Sequence, residues 1–179
     1  NKVYRLQPHR LQLNFLKVLP GTDLRKDAHR FGLIYTDYPP YEILQTNAMS
    51  YGFIQDLKLV ERTVERYYNS NRFDAALAYL ASQRSPFDLF LSLGRFRQAQ
   101  GLDRFEHQVP ALYDHLFRFG QDLGISPILS ADLLRYDFRR FAGKMPLPPI
   151  IQGRPLPREA LHRLLELAPS LVPGAAKGS

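Results

Sequence analysis

Hydrophobic and polar residues alternate near the start of the chain, and this alternation predicts a strand over Leu11–Val18. The apolar side chains at positions 11, 13 and 15 fall on one face and the amides at 12 and 14 on the other, as in a half-buried strand. Pro20-Gly21 ends the strand, because proline donates no ladder hydrogen bond and glycine permits a sharp exit. Thr22 is then placed to cap a predicted helix over Thr22–Arg30, which Gly32 can end.

Strand, turn and helix in this order form half of a βα unit. Such a unit needs parallel neighbours, and a crossover connection needs more chain than precedes Leu11. The sequence also begins at Asn1 and not at methionine. We therefore expect the chain to be a piece of a longer protein, with most of the sheet lying outside these residues.

Beyond residue 50 the apolar positions recur at helical spacing, so the predicted fold class is mainly α: a helical bundle with a small β element near the N-terminus. The β element comprises two predicted short strands, Leu33–Thr36 and Glu42–Thr46. The predicted helices run from a Ser50 cap to about Asn69, over Phe73–Ser82, from Pro86 to about Gly101, from Pro110 to Gly124, from Ser130 to about Phe141 and over Pro157–Leu167. Nearly complete burial is predicted for six side chains: Phe53, Leu57, Val64, Leu112, Leu116 and Phe138.

Composition narrows the chemistry that these 179 residues can perform. The chain has no cysteine, which excludes disulfides, thiolate zinc sites and cysteine-ligated iron–sulfur clusters within it. The absence of cysteine is also compatible with the reducing cytoplasm, which is the location we expect for the protein. No apolar run approaches the roughly 18 residues of a membrane span, and no signal-peptide pattern opens the chain. There is no phosphate-binding glycine-rich loop, and none of the five histidines has a partner at ligand spacing.

The net charge of +7 raises the question of an acidic partner. The densest basic patch consists of Arg135, Arg139, Arg140 and Lys144. One interpretation is a contact with phosphate or RNA. The other, which we favour, is a solvated helix face or a face that docks on an acidic neighbouring domain, so nucleic acid is not an expected partner.

A stiff loop follows the first predicted short strand and reads Tyr38-Pro-Pro-Tyr41. Tandem proline forces extended backbone here and holds two aromatic rings. One interpretation is a wall or lid over a substrate pocket, because a loop held by prolines presents its side chains at low entropic cost. The alternative is two rings that pack the loop against the first long helix.

Two parts of the sequence together resemble a known protein family. The first resembles the late barrel strand and the following turn of radical S-adenosylmethionine enzymes, and reads Phe15-Leu-Lys-Val-Leu-Pro-Gly-Thr-Asp-Leu24. The second is similar to the C-terminal domain, of unassigned function, of cobalamin-binding-type radical S-adenosylmethionine proteins. It comprises Gly32-Leu-Ile-Tyr-Thr-Asp-Tyr-Pro-Pro-Tyr-Glu-Ile-Leu44, Leu57-Lys-Leu-Val-Glu61 and Glu65-Arg-Tyr-Tyr-Asn-Ser-Asn-Arg-Phe73. These proteins are often described as Fe–S oxidoreductases and are related to the anaerobic magnesium-protoporphyrin ester cyclases.

The resemblance implies a division into residues 1–31, the end of a radical S-adenosylmethionine-type barrel, and residues 32–179, a helical C-terminal accessory domain. It implies a longer parent enzyme with a cobalamin domain and a barrel that carries a C-x-x-x-C-x-x-C motif. The parent's cofactors would be a 4Fe-4S cluster, S-adenosylmethionine and, in the cobalamin-binding form, cobalamin. Because this chain has no cysteine, none of the cluster ligands carries over. We expect the fragment to bind no cofactor, to hold no catalytic motif and to be inactive alone.

The function expected from the resemblance is that of an accessory domain that caps the barrel and shapes a pocket for a small-molecule substrate of unknown identity. Its partners would be the barrel and cobalamin domains of its own full-length protein. Four residues are candidates for positions near the pocket: Asn14, Lys17, Tyr38 and Tyr41. Two alternatives stay open, a basic helical module that binds RNA or a protein partner, and a purely structural cap on the barrel.

Overall fold

The computed structural model describes residues 1–102, 108–153 and 159, and in them the fold is mainly helical with a small sheet near the N-terminus, as predicted. The helices are α1 (Lys2–Arg5), α2 (Asp23–Lys26), α3 (Tyr51–Thr63), α4 (Asp74–Gln83), α5 (Pro86–Ala99), α6 (Val109–Asp122) and α7 (Pro127–Ala142). A π-helical segment (Val64–Tyr68) continues α3, and a 3-10 turn (Pro149–Ile151) follows α7. The strands are β1 (Ile34–Tyr35) and β2 (Ile43–Gln45).

β1 and β2 form an antiparallel pair with an irregular register. The preceding extended segment reaches the other edge of β2, where Lys17 lies opposite Glu42. Val18 N–H donates to the Tyr41 carbonyl at 2.8 Å, and Ile43 N–H donates to the Leu16 carbonyl at 3.1 Å. Of the strand predicted over Leu11–Val18, only this bridge at Lys17 forms in the structure, and residues 11–16 are assigned to no strand.

Two apolar clusters hold these elements, and α3 contributes to both of them. The small cluster joins Val18 and Ile43 to Ile54 of α3. The large cluster is built from the π-helical segment and helices α4–α7, with Val60 and Val64 at its α3 side. The N-terminal end of α3 packs into the small cluster and its C-terminal end packs into the large one. For this reason the buried residues of α3 do not follow a single helical period.

The core prediction is confirmed for four side chains and wrong for two. Val64, Leu112, Leu116 and Phe138 are buried at 1–5% exposure. Phe53 is 42% exposed, and Leu57 is only partly buried. Ile54 takes the buried position in the first turns of α3, which rotates Phe53 outward, where its ring meets that of Phe87 at 6.3 Å between centroids.

Side-chain caps mark the first turns of α2, α3 and α5. Thr22 Oγ1 accepts a hydrogen bond from Arg25 N–H, and Ser50 Oγ accepts one from Phe53 N–H, which confirms both predicted N-caps. The expected cap at Ser130 is wrong, because α7 begins three residues earlier at Pro127, after Ser126. Proline suits the first turn of a helix, where its missing N–H has no partner to lose.

The predicted helix over Thr22–Arg30 is shorter in the structure, where α2 ends at Lys26 and turns follow. Gly32, at φ +58°, lies where the turns end, and a Cβ there would stand 1.9 Å from the Asn47 side-chain oxygen. The predicted helix over Pro157–Leu167 lies outside the described residues.

Candidate functional site

Arg25 organises the turns and loops at the N-terminal end of the molecule. Its guanidinium forms an ion pair with Asp37 and donates to the Val18 carbonyl at 3.4 Å. The same group lies 5.2 Å from the centroid of the Tyr35 ring and 5.8 Å from that of Tyr41. Cation–π contacts and a partly buried ion pair thus join α2 to the Tyr38–Tyr41 loop.

The structure places three of the four candidate pocket residues together. Lys17 lies opposite Glu42, next to Tyr41, and Tyr41 N–H donates to the Tyr38 carbonyl at 2.9 Å. Tyr38 is 69% exposed, whereas Tyr41 is half-buried under Arg25. Asn14 is exposed on the extended segment, and no described contact joins its side chain to the other three.

Exposed apolar side chains are concentrated in this N-terminal region. Within residues 16–38, five large apolar side chains are 45–69% exposed: Leu16, Leu19, Phe31, Ile34 and Tyr38. Exposed apolar side chains are typical of an interaction surface where they form one contiguous patch. We name these five residues the N-terminal apolar surface.

Residues 1–10 form a segment that is hydrogen-bonded to α5 and to the π-helical segment. Asn1 Oδ1 accepts from Phe87 N–H at 3.0 Å, and Tyr68 O–H donates to the Pro8 carbonyl at 2.6 Å. The Tyr4 ring lies 5.3 Å from that of Tyr68 and 5.8 Å from that of Phe90, measured between centroids. Burial, followed by Tyr68 and Asp74, raises the pKa of Tyr4 to about 12.

Two of the clefts that Tyr4 lines have walls of different polarity. One, of about 110 Å³, has polar walls that include His9, Tyr68 and Asp74. The other, of about 240 Å³, is lined mainly by apolar side chains of the extended segment, α3 and α5. None of the four candidate pocket residues lines either cleft.

Asn69 fastens the extended segment to the bundle. Its Oδ1 accepts from Leu11 N–H at 2.9 Å, and its Nδ2 donates to the Leu11 carbonyl at 3.0 Å. One amide side chain thereby replaces the backbone of a neighbouring strand at this residue. Asn69 directly follows the π-helical segment, and single π turns of this kind are frequent at functional positions.

A buried polar network lies between the π-helical segment, α5 and α6. Arg97 is 2% exposed, and its Nη1 donates to Tyr67 Oη at 3.0 Å and to His115 Nδ1 at 3.1 Å. Its Nη2 donates to the Leu102 carbonyl at 2.9 Å. Because a guanidinium only donates, the His115 ring accepts through Nδ1. This arrangement binds three parts of the bundle together and faces neither cleft.

Asp137 of α7 is a second buried polar group. Its Oδ1 accepts from Ala75 N–H at 2.9 Å and its Oδ2 from Ala76 N–H at 3.0 Å, at the start of a helix whose own N-cap, Phe73, has no capping side chain. Burial raises the pKa of Asp137 to about 7, against the two N–H bonds and Arg140, which lower it. The carboxyl therefore caps α4 from a distant helix.

A match to one protein family spans residues 29–166, which is more than half of the chain, and the family is described as a protein of unknown function, DUF4080. The chain belongs to this family. No curated protein and no solved structure matches it. The DUF4080 match contains the Tyr38–Tyr41 loop and both buried polar networks, whereas the extended segment and its Asn14 and Lys17 precede it.

In this DUF4080 member the basic patch of α7 is largely paired within the protein. Arg135 forms an ion pair with Asp132, and Arg140 forms one with Asp74 at 2.8 Å. Arg139 donates to the Gly143 and Met145 carbonyls at 3.0 and 2.9 Å, and so covers the end of α7. These contacts support the interpretation of a solvated helix face over that of a phosphate contact.

The chain does not supply a ligand set for an iron–sulfur cluster, because it has no cysteine. Within residues 1–102, 108–153 and 159, no three His, Asp or Glu side chains gather where they could hold a metal ion. Across the same residues, no helix combines the length and the hydrophobicity that a membrane crossing requires.

Sequence reasoning missed the fastening residue Asn69 and the two buried networks. A weak signal existed for the networks, since Arg97 follows Leu93 and Asp137 follows Leu133 at helical i+4 spacing. An ionisable residue on an apolar stripe indicates a buried polar pair. Asn69 carried no such signal, because its partner lies 58 residues away.

Proposed function

We propose that this chain is the C-terminal accessory domain, with the last barrel strand, of a cobalamin-binding-type radical S-adenosylmethionine protein of the Fe–S oxidoreductase kind. The observation that carries the proposal is its DUF4080 membership, because this domain occurs in cobalamin-binding radical S-adenosylmethionine proteins. The domain would cap the barrel and shape the pocket for a small-molecule substrate. It would act in the cytoplasm, joined to the parent's own barrel and cobalamin domains.

The N-terminal apolar surface supports the capping role. Along the sequence, its five residues lie close to the Pro20–Thr22 turn or within or before the Tyr38–Tyr41 loop. If residues 11–18 form a barrel strand, the turn lies at its carboxyl end, where barrel active sites are found. Docking on the barrel would remove this apolar area from water, which is favourable at about 25 cal/mol for each Å².

The proposed cofactors of the parent are a 4Fe-4S cluster, S-adenosylmethionine and, in the cobalamin-binding form, cobalamin. The residues of this chain do not fit cluster ligation, so the parent would hold the cluster elsewhere. This chain would contribute one wall of the parent's reaction site. A closed cap excludes water and small quenching molecules from the reaction site.

A test in the full-length parent, reconstituted with its cluster, compares three proteins with the wild type: a deletion of residues 31–179, Tyr38→Ala and Tyr51→Ala. Tyr38 and Tyr51 are both exposed, at 69% and 53%, so neither truncation should unfold the domain. Two of the three readouts are the cleavage of S-adenosylmethionine without substrate and the turnover of substrate. The other is the rate at which a chelator with ferricyanide bleaches the cluster absorbance, which reports access to the barrel mouth.

We expect the deletion to leave cleavage in part, to abolish turnover of substrate and to accelerate bleaching by roughly tenfold or more, since a cap limits access. Tyr38→Ala should accelerate bleaching and Tyr51→Ala should not. Bleaching and turnover unchanged by the deletion would show that the domain is no part of the catalytic unit.

The alternative is a basic helical module that binds RNA or a protein partner. The contacts within the α7 patch support this alternative less than they support a solvated helix face. The three arginines of the α7 patch are already engaged by Asp132, Asp74 and main-chain carbonyls. A phosphate would have to compete with these partners for the three guanidinium groups. Mobility shifts with transfer RNA at two salt concentrations would detect such binding.

A further inference from the structure

The cleft of about 110 Å³ beside Tyr4, which we name the polar cleft, lies between residues 1–10 and the bundle. Its walls include Tyr4 and Pro8 on one side and Tyr68 and Asp74 on the other. The Tyr68 hydroxyl donates to the Pro8 carbonyl at 2.6 Å, and this bond ties the two walls together. Tyr68 is also the last residue of the π-helical segment, and π turns are frequent at functional positions.

Oxygen atoms of the residues that line the polar cleft have capacity left for a ligand. Asp74 Oδ2 accepts from Arg140 at 2.8 Å. Within the part of the chain that the structure describes, no residue makes a hydrogen bond with Asp74 Oδ1 or with the Tyr4 hydroxyl. The Tyr68 hydroxyl gives its hydrogen to Pro8 and can still accept through its oxygen. These residues therefore offer one carboxylate oxygen and two phenolic oxygens as acceptors.

The electrostatic potential in the polar cleft favours a cation. Burial raises the pKa of Tyr4 to about 12, and Tyr68 and Asp74 add to this shift. Burial and then Asp74 also raise the pKa of Tyr68. A carboxylate that raises the pKa of two hydroxyls disfavours negative charge at both of them. The charge of Asp74 therefore acts inside the cleft, although its other oxygen is paired with Arg140.

The rings and the size of the cleft favour a small organic cation. The Tyr4 and Tyr68 rings are tilted by 48°, with 5.3 Å between their centroids, and the faces of such rings attract ammonium groups. The volume is about 110 Å³, whereas a cavity of about 150 Å³ accommodates a benzene ring. On that scale the cleft has room for about four non-hydrogen atoms.

The backbone is unusual at two further residues of this cleft. Gln7 and Asn71 both line it, and they have φ values of +48° and +54°. Residues other than glycine rarely adopt this left-handed conformation. Such residues are concentrated at ligand sites, because only a well-packed surrounding structure maintains them. Each side-chain amide also carries an acceptor oxygen.

We propose that the polar cleft is a binding site for a small primary amine in its ammonium form. A primary ammonium group has three N–H donors. The Asp74 carboxylate accepts one of them, the phenolic oxygens of Tyr4 and Tyr68 accept the others, and the two rings pack against the alkyl carbons. The inference is independent of the proposed function, because none of the four candidate pocket residues lines this cleft.

The test is a titration of the 1–179 chain with propylammonium chloride, followed in NMR spectra of the backbone amides. Potassium chloride is exchanged for the amine salt, so the chloride concentration stays constant, and 1-propanol serves as the neutral counterpart of the same size. We expect saturable shifts at residues 68–78, with a dissociation constant on the order of 1–10 mM, which a ligand of this size can reach. 1-Propanol should bind at least about tenfold more weakly, because it lacks the charge.

A matched pair of variants tests the carboxylate. Asp74→Asn keeps the shape but removes the charge, and it should weaken propylammonium binding about tenfold or more. Asp56→Asn is the control, because Asp56 also pairs with an arginine, Arg95, at 2.9 Å and does not line the cleft; its effect should stay within about twofold. Arg140→Gln removes the cation that competes for Asp74 and should strengthen binding about threefold or more.

A second pair of variants tests the hydroxyl. Tyr4→Phe keeps the ring and should weaken binding about threefold to tenfold, because one acceptor is lost. Tyr51→Phe, at an exposed tyrosine outside the cleft, should leave binding unchanged. Circular dichroism and thermal melting of each variant confirm that the bundle is intact. If Asp74→Asn does not fold, Tyr4→Phe and Arg140→Gln still decide the question.

The inference is overturned if no saturable shift occurs up to about 100 mM propylammonium, which is tenfold above the weakest expected constant. Equal binding of 1-propanol would also overturn it, since the cleft would then not select a charged group. So would shifts that lie only outside the cleft. Equal effects of Asp74→Asn and Asp56→Asn, or weaker binding to Arg140→Gln, would refute recognition by the Asp74 carboxylate.

Discussion

Asp137 offers a sensitive test of the packing between α7 and α4. The carboxyl is 2% exposed, and each of its oxygens accepts one backbone N–H at the start of α4. Burial raises its pKa from 3.8 to about 7. Because the pKa of the folded state lies above that of the unfolded state, the contribution of this group to stability is complete below about pH 4 and is lost as the pH rises through about 7.

The size of the effect follows from the same two values. At about 1.4 kcal/mol for each pKa unit, the whole difference corresponds to about 4 kcal/mol, of which about 3 kcal/mol falls between about pH 5 and about pH 8. Asp137→Asn keeps the shape but does not titrate. It loses one acceptor, and this adds a pH-independent cost of about 1–3 kcal/mol to the pH-dependent difference from the wild type.

The assay is urea unfolding of the wild type and Asp137→Asn at a series of pH values, because subtraction cancels the titrations that the two proteins share. We expect the stability advantage of the wild type to fall by about 3 kcal/mol from about pH 5 to about pH 8. Asp122→Asn, at an exposed carboxyl, is the matched control. A constant difference between the wild type and Asp137→Asn would refute the reasoning, because the N–H bonds would then outweigh burial.

Two further predictions concern the core and the contact between α3 and α5. Leu116→Ala should lower the free energy of unfolding by about 2–5 kcal/mol, because the side chain is 2% exposed and leaves a cavity; Leu19→Ala, at 45% exposure, should cost less than about 1 kcal/mol. A Leu116→Ala cost below about 1 kcal/mol would place that side chain outside the core. Gly94→Ala should cost about 1–3 kcal/mol, since its Cβ would approach the Leu59 side chain to 2.6 Å. Gly52→Ala in α3 meets no atom within 4 Å and should be neutral or stabilise by up to about 1 kcal/mol; equal thermal melting of the two alanine variants would contradict this.

Local rules predicted the elements that depend on nearby residues. The alternation from Leu11 to Phe15 reappears as alternating burial, and the caps at Thr22 and Ser50 hold in the structure. Both short strands were found within their predicted ranges. Each of these features needs only side-chain period, turn chemistry or one capping oxygen, all of which lie within a few residues.

The features that sequence reasoning missed depend on residues far apart in the chain. Phe53 was expected inside because it shares a helical stripe with Val64, but α3 serves two clusters and Ile54 takes the inner position. Asp137 caps a helix 61 and 62 residues away. The candidate pocket residues remain a prediction, and the position of Tyr41 beside Arg25 depends on a loop whose course no local rule supplies.

Hydrogen bonds cross the predicted domain boundary between residues 31 and 32, and they affect what a deletion at this boundary can test. Tyr68 and Asn69 lie inside the matched family region, yet they bind the backbone of Pro8 and Leu11, which precede it. The residues that fasten the extended segment therefore belong to the helical domain. A cut at residue 31 removes Asn69 and, with it, the two hydrogen bonds that hold Leu11. For this reason a deletion of residues 31–179 tests two things together, the cap and the support of the strand, whereas Tyr38→Ala changes the exposed loop alone. If both the deletion and Tyr38→Ala accelerate bleaching, the acceleration is due to loss of the cap. If only the deletion accelerates bleaching, the acceleration is due to loss of support for the strand.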